Sequence, residues 1–245
     1  MQIDLNCDLG EGMTTDEQII PLISSANIAC GFHAGDIDTM KRTIELCVQH
    51  RVAIGAHPSW PDKENFGRRE MKRSTEELIT IITEQLNILS QLTKEQGGKL
   101  HHVKPHGALY NQSANDETIA AAIAKAVKDF DDSLMLFGLS GSYSISEAEK
   151  RRLTTASEVF ADRTYLDDGA LMPRSQPNAL IEDENKAVAQ ALQMITQQSV
   201  TSITGKNISL IADTICIHGD GANAVAFAKA ISFALKQNHI DIKKN

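Results

Sequence analysis

Six short apolar runs in this 245-residue chain each end in side chains suited to moving protons or holding an anion. Ile3 and Leu5 lead into Asn6-Cys7-Asp8-Leu9-Gly10-Glu11-Gly12, and Ile28–Phe32 leads into His33-Ala34-Gly35-Asp36. Val52–Ile54 leads into Gly55-Ala56-His57-Pro58, and Val103 into Lys104-Pro105-His106-Gly107. Val159–Ala161 leads into Asp162-Arg163-Thr164-Tyr165, and Ile215–Ile217 into His218-Gly219-Asp220-Gly221. Carboxylates and imidazoles serve as general acids and bases, while a lysine or arginine holds a carboxylate or a developing oxyanion. Their recurrence from one end of the chain to the other points to a single polar site.

Strand alternation puts Asp4, Asn6 and Asp8 on one side of the first run and its exit. Asp8, at the end, is read as an acid or base, Asn6 and Glu11 as substrate contacts, and Asp4 as structural. His33 and His57, with Asp8, make a set that a divalent cation with open positions would accept. The same three residues would serve equally well as acid, base and donors without a metal, and no His-x-x-x-His spacing decides between these. A lysine in a buried strand either snorkels outward or turns inward to an anion. Lys104 stands directly before Pro105-His106 and is read as turned to the site, on a substrate carboxylate or oxyanion, with His106 beside it. His101 and His102 begin that strand at its far end and are read as structural. The fork of Arg163 suits a small carboxylate, and an Asp162–Arg163 pair bracing a loop explains the same residues equally well. His218 and Asp220 open a glycine-flanked helix start where anions bind readily, and Asp220 would equally serve as its cap. The candidate set is therefore Asp8, His57, Lys104 and His106 for catalysis, with Asn6, Glu11, Asp162, Arg163, His218 and Asp220 on the substrate.

The polar ends need a scaffold, and the intervening sequence supplies one. Ile37, Met40, Ile44, Cys47 and Val48 lie on one helical face that Asp36 would cap. Leu78, Ile82, Leu86 and Leu89 mark a longer helix begun by Ser74-Thr75-Glu76-Glu77 and ended by Gly97-Gly98. Further helical faces run through Ile119–Val127, Val188–Ile195 and Ala224–Leu235, and strands are predicted near 2–7, 27–32, 51–56, 100–104, 133–138, 156–161 and 212–218. Strands alternating with helices imply parallel pairing. Reactive residues at nearly every strand end favour a closed barrel over an open sheet, where they would gather at one switch point. The sequence thus predicts a single domain over 1–245, an irregular seven-stranded β/α barrel. It adds a long loop over the mouth near 161–181 and a small hairpin near 200–211.

Net charge is −8, and no basic block exceeds Gly67-Arg68-Arg69 and the Lys243-Lys244 tail, which excludes a nucleic-acid surface. The N-terminal Met1-Gln2-Ile3-Asp4 has no signal-peptide character, and no apolar stretch approaches the roughly 20 residues of a membrane helix. Cys7, Cys30, Cys47 and Cys216 show no close pairing and are read as reduced and buried, so a cytoplasmic location is expected. No Gly-x-x-x-x-Gly-Lys-Ser/Thr phosphate loop and no Gly-x-Ser-x-Gly elbow occurs.

Taken together, Asp4–Gly12, Asn27–Asp36, Gly55–Ser59, Val103–Tyr110 and Cys216–Asp220 resemble the LamB/YcsF family of lactam-utilisation proteins over residues 1–237. The resemblance implies a barrel like that of glycoside hydrolases and deacetylases. It also implies the reaction 5-oxo-L-proline + ATP + 2 H₂O → L-glutamate + ADP + phosphate, in which the chain is the A subunit of a 5-oxoprolinase and works with partner subunits B and C. ATP would then be a co-substrate handled at least partly by those partners. The likeness to metal-dependent deacetylases is what brings a divalent cation on Asp8, His33 and His57 into view. Two other readings stand beside this one: a metal-dependent deacetylase, or a scaffold without chemistry of its own.

Overall fold

The computed structural model of the protein describes residues 1–218 and 224–245, so Asp220 lies outside the described residues. In chain order the elements are β1 (Gln2–Leu9), a single turn α1 (Asp16–Ile19), β2 (Ser25–Ala29), α2 (Ile37–His50) and β3 (Ala53–His57). Next come α3 (Thr75–Glu95), β4 (Leu100–Val103), α4 (Gly107–Asn115), α5 (Glu117–Phe130), β5 (Met135–Leu139), α6 (Tyr143–Lys150) and β6 (Thr154–Phe160). The chain continues through α7 (Glu184–Gln197), β7 (Ser199–Thr201), β8 (Asn207–Ser209), β9 (Thr214–His218), α8 (Ala224–Gln237) and β10 (Asp241–Ile242).

Strands β1 to β6 and β9 pair in parallel, and β1 closes on β9 with Asp4 opposite Thr214 and Asp8 opposite His218. The result is a closed seven-stranded barrel, with β10 added beside Gln2 and Ile3. Closure points alternate residues of every strand into one lumen and the others toward the helices. In β1 the outward residues Ile3, Leu5, Cys7 and Leu9 join the apolar core between barrel and helices. The inward residues Asp4, Asn6 and Asp8 are buried as well, in a lumen that is polar. Asp4 accepts from Ser24, Ser25 and Thr214 at 2.6–2.7 Å, the structural role expected of it.

Local chemistry sets the helices. Asp36 caps α2 through the Thr39 amide, Ser74 and Glu77 form a capping box on α3, and Asp116 caps α5. The sequence reading missed α4 and α6. Both are short: α4 starts at Gly107, one residue after the strand-end His106, and α6 spans eight residues. Residues 161–183 join β6 to α7 as a loop held by isolated bridges between Arg163 and Leu180 and between Tyr165 and Leu171. β7 and β8 form an antiparallel hairpin. All four cysteines are free and buried, and no described helix is long and apolar enough to cross a membrane.

Candidate active site

The strand ends open into a pocket of about 430 Å³ lined by Asp8, Glu11, His57, Lys104, His106, Arg163 and His218. Several different strands, or the turns after them, deliver these residues. The side chains below the pocket floor determine what they can do.

Lys104 follows β4 directly, its amide still paired to the Ala56 carbonyl at 2.9 Å. Its side chain crosses the lumen and is 2% exposed. The ammonium lies 2.9 Å from Asp8 Oδ1, 2.8 Å from Glu158 Oε1, 3.3 Å from Asn6 Oδ1 and 3.1 Å from Cys216 Sγ. Burial disfavours its charge, but Asp8, with Cys216 and Glu158, outweighs that and holds the proton well above the usual lysine range. Burial alone would likewise raise the Asp8 carboxyl, yet His57, when protonated at Nε2, and the Lys104 ammonium hold it well below the usual carboxylate range. Asp8 is therefore ionised at the floor of the pocket.

Beneath them the network continues. Asn6 donates to Glu158 at 2.9 Å and to Thr214 at 2.7 Å, and Asn27 donates to both Asn6 and Asp8 at 2.8 Å. His102 Nε2 meets Asn27 Oδ1 at 2.8 Å, with its ring stacked on Phe137. This ring needs Gly55: a Cβ there would fall 2.1 Å from His102 Nε2.

Three histidines form the next wall. His57 Nδ1 lies 2.7 Å from the Lys104 carbonyl, which accepts only if Nδ1 carries the proton, so Nε2 is left basic. By the same reasoning His106 Nε2 donates to the Phe66 carbonyl at 3.0 Å, leaving Nδ1 as a lone pair. These two lone-pair nitrogens face each other at 2.9 Å, and Asp8 Oδ2 is 3.4 Å from His57 Nε2. Such an encounter is repulsive unless a proton or a cation sits at it. Burial and the nearby His33 and His57 push the His106 pKa well below its ordinary value, and burial pushes His33 down to about 2. Gly107 lets the chain turn here: its φ is +54°, and a Cβ would lie 2.6 Å from the Gly67 carbonyl.

The ligand atoms of Glu11, His33, His57 and His106 lie within 4.8 Å of one another, while Asp8 falls in a separate group with Cys216 and His218. The expected metal set of Asp8, His33 and His57 is thus not the set that converges. His33 also stacks flat on His106, centroids 3.8 Å apart and planes 7° from parallel. In-plane lone pairs of two parallel rings cannot both meet one ion at the ~2 Å of a metal–imidazole bond. In this arrangement His57, His106 and Glu11 fit a divalent cation and His33 does not.

Two other expectations need correction, and one open choice is resolved. Asn6 is fully buried below the pocket, its amide spent on Glu158, Thr214, Asn27 and Lys104, so it positions other groups and does not meet a ligand. The Lys104 ammonium is engaged by carboxylates of the protein and is not free for a substrate carboxylate. Arg163 braces the loop, as one alternative had it, but through the Met172 and Ala179 carbonyls at 2.6 and 3.4 Å and not through a pair with Asp162. Asp162 is turned to His218 Nδ1 at 2.8 Å; burial would raise its carboxyl, but His218 lowers it. Glu158 was missed, although it stands two residues from Phe160 in β6 on the inward-facing alternation that would have exposed it. His102, read as structural, is an inward member of the same network.

A family model described as the LamB/YcsF family matches residues 3–245. The chain belongs to the LamB/YcsF family. Within that family, it is 53% identical over 99% of its length to the A subunit of 5-oxoprolinase from Tolumonas auensis, covering 98% of that protein. It superimposes with a TM-score of 0.94 on the crystal structure of a lactam utilization protein from Thermus thermophilus, at 42% identity with both chains fully covered. A family 4 carbohydrate esterase from Streptomyces lividans shares the fold alone, at 11% identity and a TM-score of 0.54 over 98% of this chain and 91% of that one. The LamB/YcsF barrel thus has deacetylase-like neighbours in architecture.

Proposed function

We propose that this chain is the hydrolytic A component of an ATP-dependent 5-oxoprolinase, opening 5-oxo-L-proline to L-glutamate with partner subunits B and C. The observation that carries the reading is the ionised Asp8 beside the basic Nε2 of His57, set at the floor of a pocket sized for a small molecule. The name borne by the Tolumonas relative supports the substrate.

An unstrained lactam is resonance-stabilised, so phosphorylation of its oxygen by ATP makes that oxygen a leaving group. Water adds at the ring carbon, the ring nitrogen gains a proton as the C–N bond breaks, and a second water releases phosphate. His57 takes the proton of the attacking water through Nε2, held in its tautomer by the Lys104 carbonyl. Asp8 steadies the imidazolium that results, and Lys104 keeps Asp8 ionised and fixed. The absence of a phosphate-loop sequence motif supports a reading in which partner subunits handle the nucleotide at least partly. A divalent cation held by His57, His106 and Glu11 would take up the same Nε2 lone pair, so His57 would then be a ligand and not the base, and the cation would instead lower the pKa of a bound water; metal analysis of the purified chain, with and without His106→Ala, separates the two routes.

The deciding experiment is glutamate release from 5-oxo-L-proline with ATP, by the chain alone and with both partner subunits. Turnover only in the full assembly, abolished by Asp8→Asn, is the expected result. Undiminished turnover with Asp8→Asn would assign the chain a scaffold role. Release of acetate from an acetylated sugar without ATP would point to a deacetylase.

A further inference from the structure

We propose that Arg174 binds the substrate's carboxylate, so that a small cyclic amide acid spans the pocket with its carboxylate on the 161–183 loop and its amide over Asp8 and His57. The inference rests on the function proposed above and names a residue that the sequence reading did not single out.

The cations that line the pocket differ in what they already hold. Lys104 is held by Asp8 and Glu158 at 2.9 and 2.8 Å. Arg163 is spent on the Met172 and Ala179 carbonyls. Arg68 lies over the Phe66 ring, 4.8 Å from its centroid. Arg174 lines the same pocket, half-buried, and makes no hydrogen bond or ion pair among the described residues. A half-buried guanidinium without an anion gains more from a carboxylate than any of the other three, and its fork accepts one through two parallel hydrogen bonds.

Charge around it favours an incoming anion. Arg163 and Arg174 line the same pocket, and burial, then the like charge of Arg174, bring Arg163 down to about 10. Asp162, an acid near enough to feel Arg174, is committed to His218. An anion entering here would relieve the repulsion between the two guanidinium groups. The loop is also braced to present the residue: Pro173 restricts the backbone just before it, and the Arg163–Leu180 and Tyr165–Leu171 bridges pin both arms.

The test uses Arg174→Met and Arg174→Lys in the assembled enzyme, with 5-oxo-L-proline and its carboxamide, which keeps the ring and lacks the charge. Arg174→Met should lower kcat/KM for 5-oxo-L-proline about 10- to 150-fold, mostly through KM. It should lower carboxamide turnover far less, and Arg174→Lys should recover part of the loss. Equal losses on both substrates, or no loss, would overturn the assignment. Calorimetric titration of the chain with the same two compounds gives a readout without turnover. Wild type should prefer the acid and Arg174→Met should not; a preference that survives the substitution, or one absent from wild type, also overturns it. Wild-type binding of the acid without any ring opening would count against the proposed reaction and leave the carboxylate site standing.

Discussion

Replacing Lys104 by methionine tests the lumen network most sharply. The substitution keeps most of the apolar stem and removes the one ammonium placed between Asp8 and Glu158. Removing one partner from a buried ion pair costs about 3–5 kcal/mol, because the remaining charge stays desolvated. At roughly 2–4 °C per kcal/mol for a chain of this size, Tm should fall by about 6–20 °C. A wild-type stability above about 7 kcal/mol, within the usual 5–15 kcal/mol, leaves the variant largely folded at 25 °C. The loss should depend on pH with a definite sign. In wild type the Asp8 carboxyl is held below its unfolded value of ~3.9, so its contribution is present above that pH and lost as pH falls through the folded value. Without Lys104, Asp8 loses one of the two groups that oppose its burial, and its carboxyl moves up toward or past its unfolded value. The wild type's advantage from a depressed Asp8 carboxyl is itself lost as pH falls, so the variant's deficit shrinks on acidification. Calorimetric melts at a series of pH values should show the widest Tm gap near pH 7–8, closing toward pH 4. Adding Glu158→Gln should restore part of the stability by removing one stranded carboxylate. A gap independent of pH, or no recovery with Glu158→Gln, would show that Lys104 acts by packing and that the charge argument is wrong.

Asp8→Asn and His57→Gln should each reduce kcat of the assembled enzyme about 10²- to 10⁴-fold with circular dichroism unchanged, as measured by glutamate release. Gly55→Ala should destabilise by about 1–3 kcal/mol or more, because its methyl group meets a rigid imidazole wedged against Phe137; denaturant unfolding measures this. Tyr165→Phe removes the hydroxyl that accepts the Phe160 amide at 2.8 Å, leaving a buried donor unpaired. It should cost about 1–3 kcal/mol in thermal melts and loosen the root of the mouth loop, seen as faster proteolysis between residues 166 and 180.

The barrel was legible because its strands carry two messages at once. In β1 the alternation of Ile3, Leu5, Cys7 and Leu9 with Asp4, Asn6 and Asp8 gives both the buried face and the polar lumen. The clustering of Asp8, His57, Lys104 and His106 followed from their positions at or just beyond strand ends. What Lys104 holds could not follow, since Asp8 and Glu158 are far from it in sequence and only closure of the barrel makes them neighbours. The choice between Arg163 and Arg174 was equally hidden. Both sit in one aperiodic loop, and which guanidinium is consumed by backbone carbonyls depends on how that loop folds back. His102 was hidden by a different cause: it stands at the end of β4 away from the mouth, but placing Lys104 inward should have placed His102 inward too.

The polar lumen has a consequence for how this barrel is specified. Most barrels fill their interior with branched apolar side chains, which tolerate exchange among themselves. Here the filling is a set of mutually addressed donors and acceptors from β1, β2, β4, β6 and β9. Sliding any one of these strands by a single residue would turn its members into the helix layer and strand their partners in the lumen. Strand register and the charge state of Asp8 are thus set by the same bonds. A mutation that loosens the alignment of the barrel also detunes the acid at its mouth, so selection on the chemistry acts as selection on the fold.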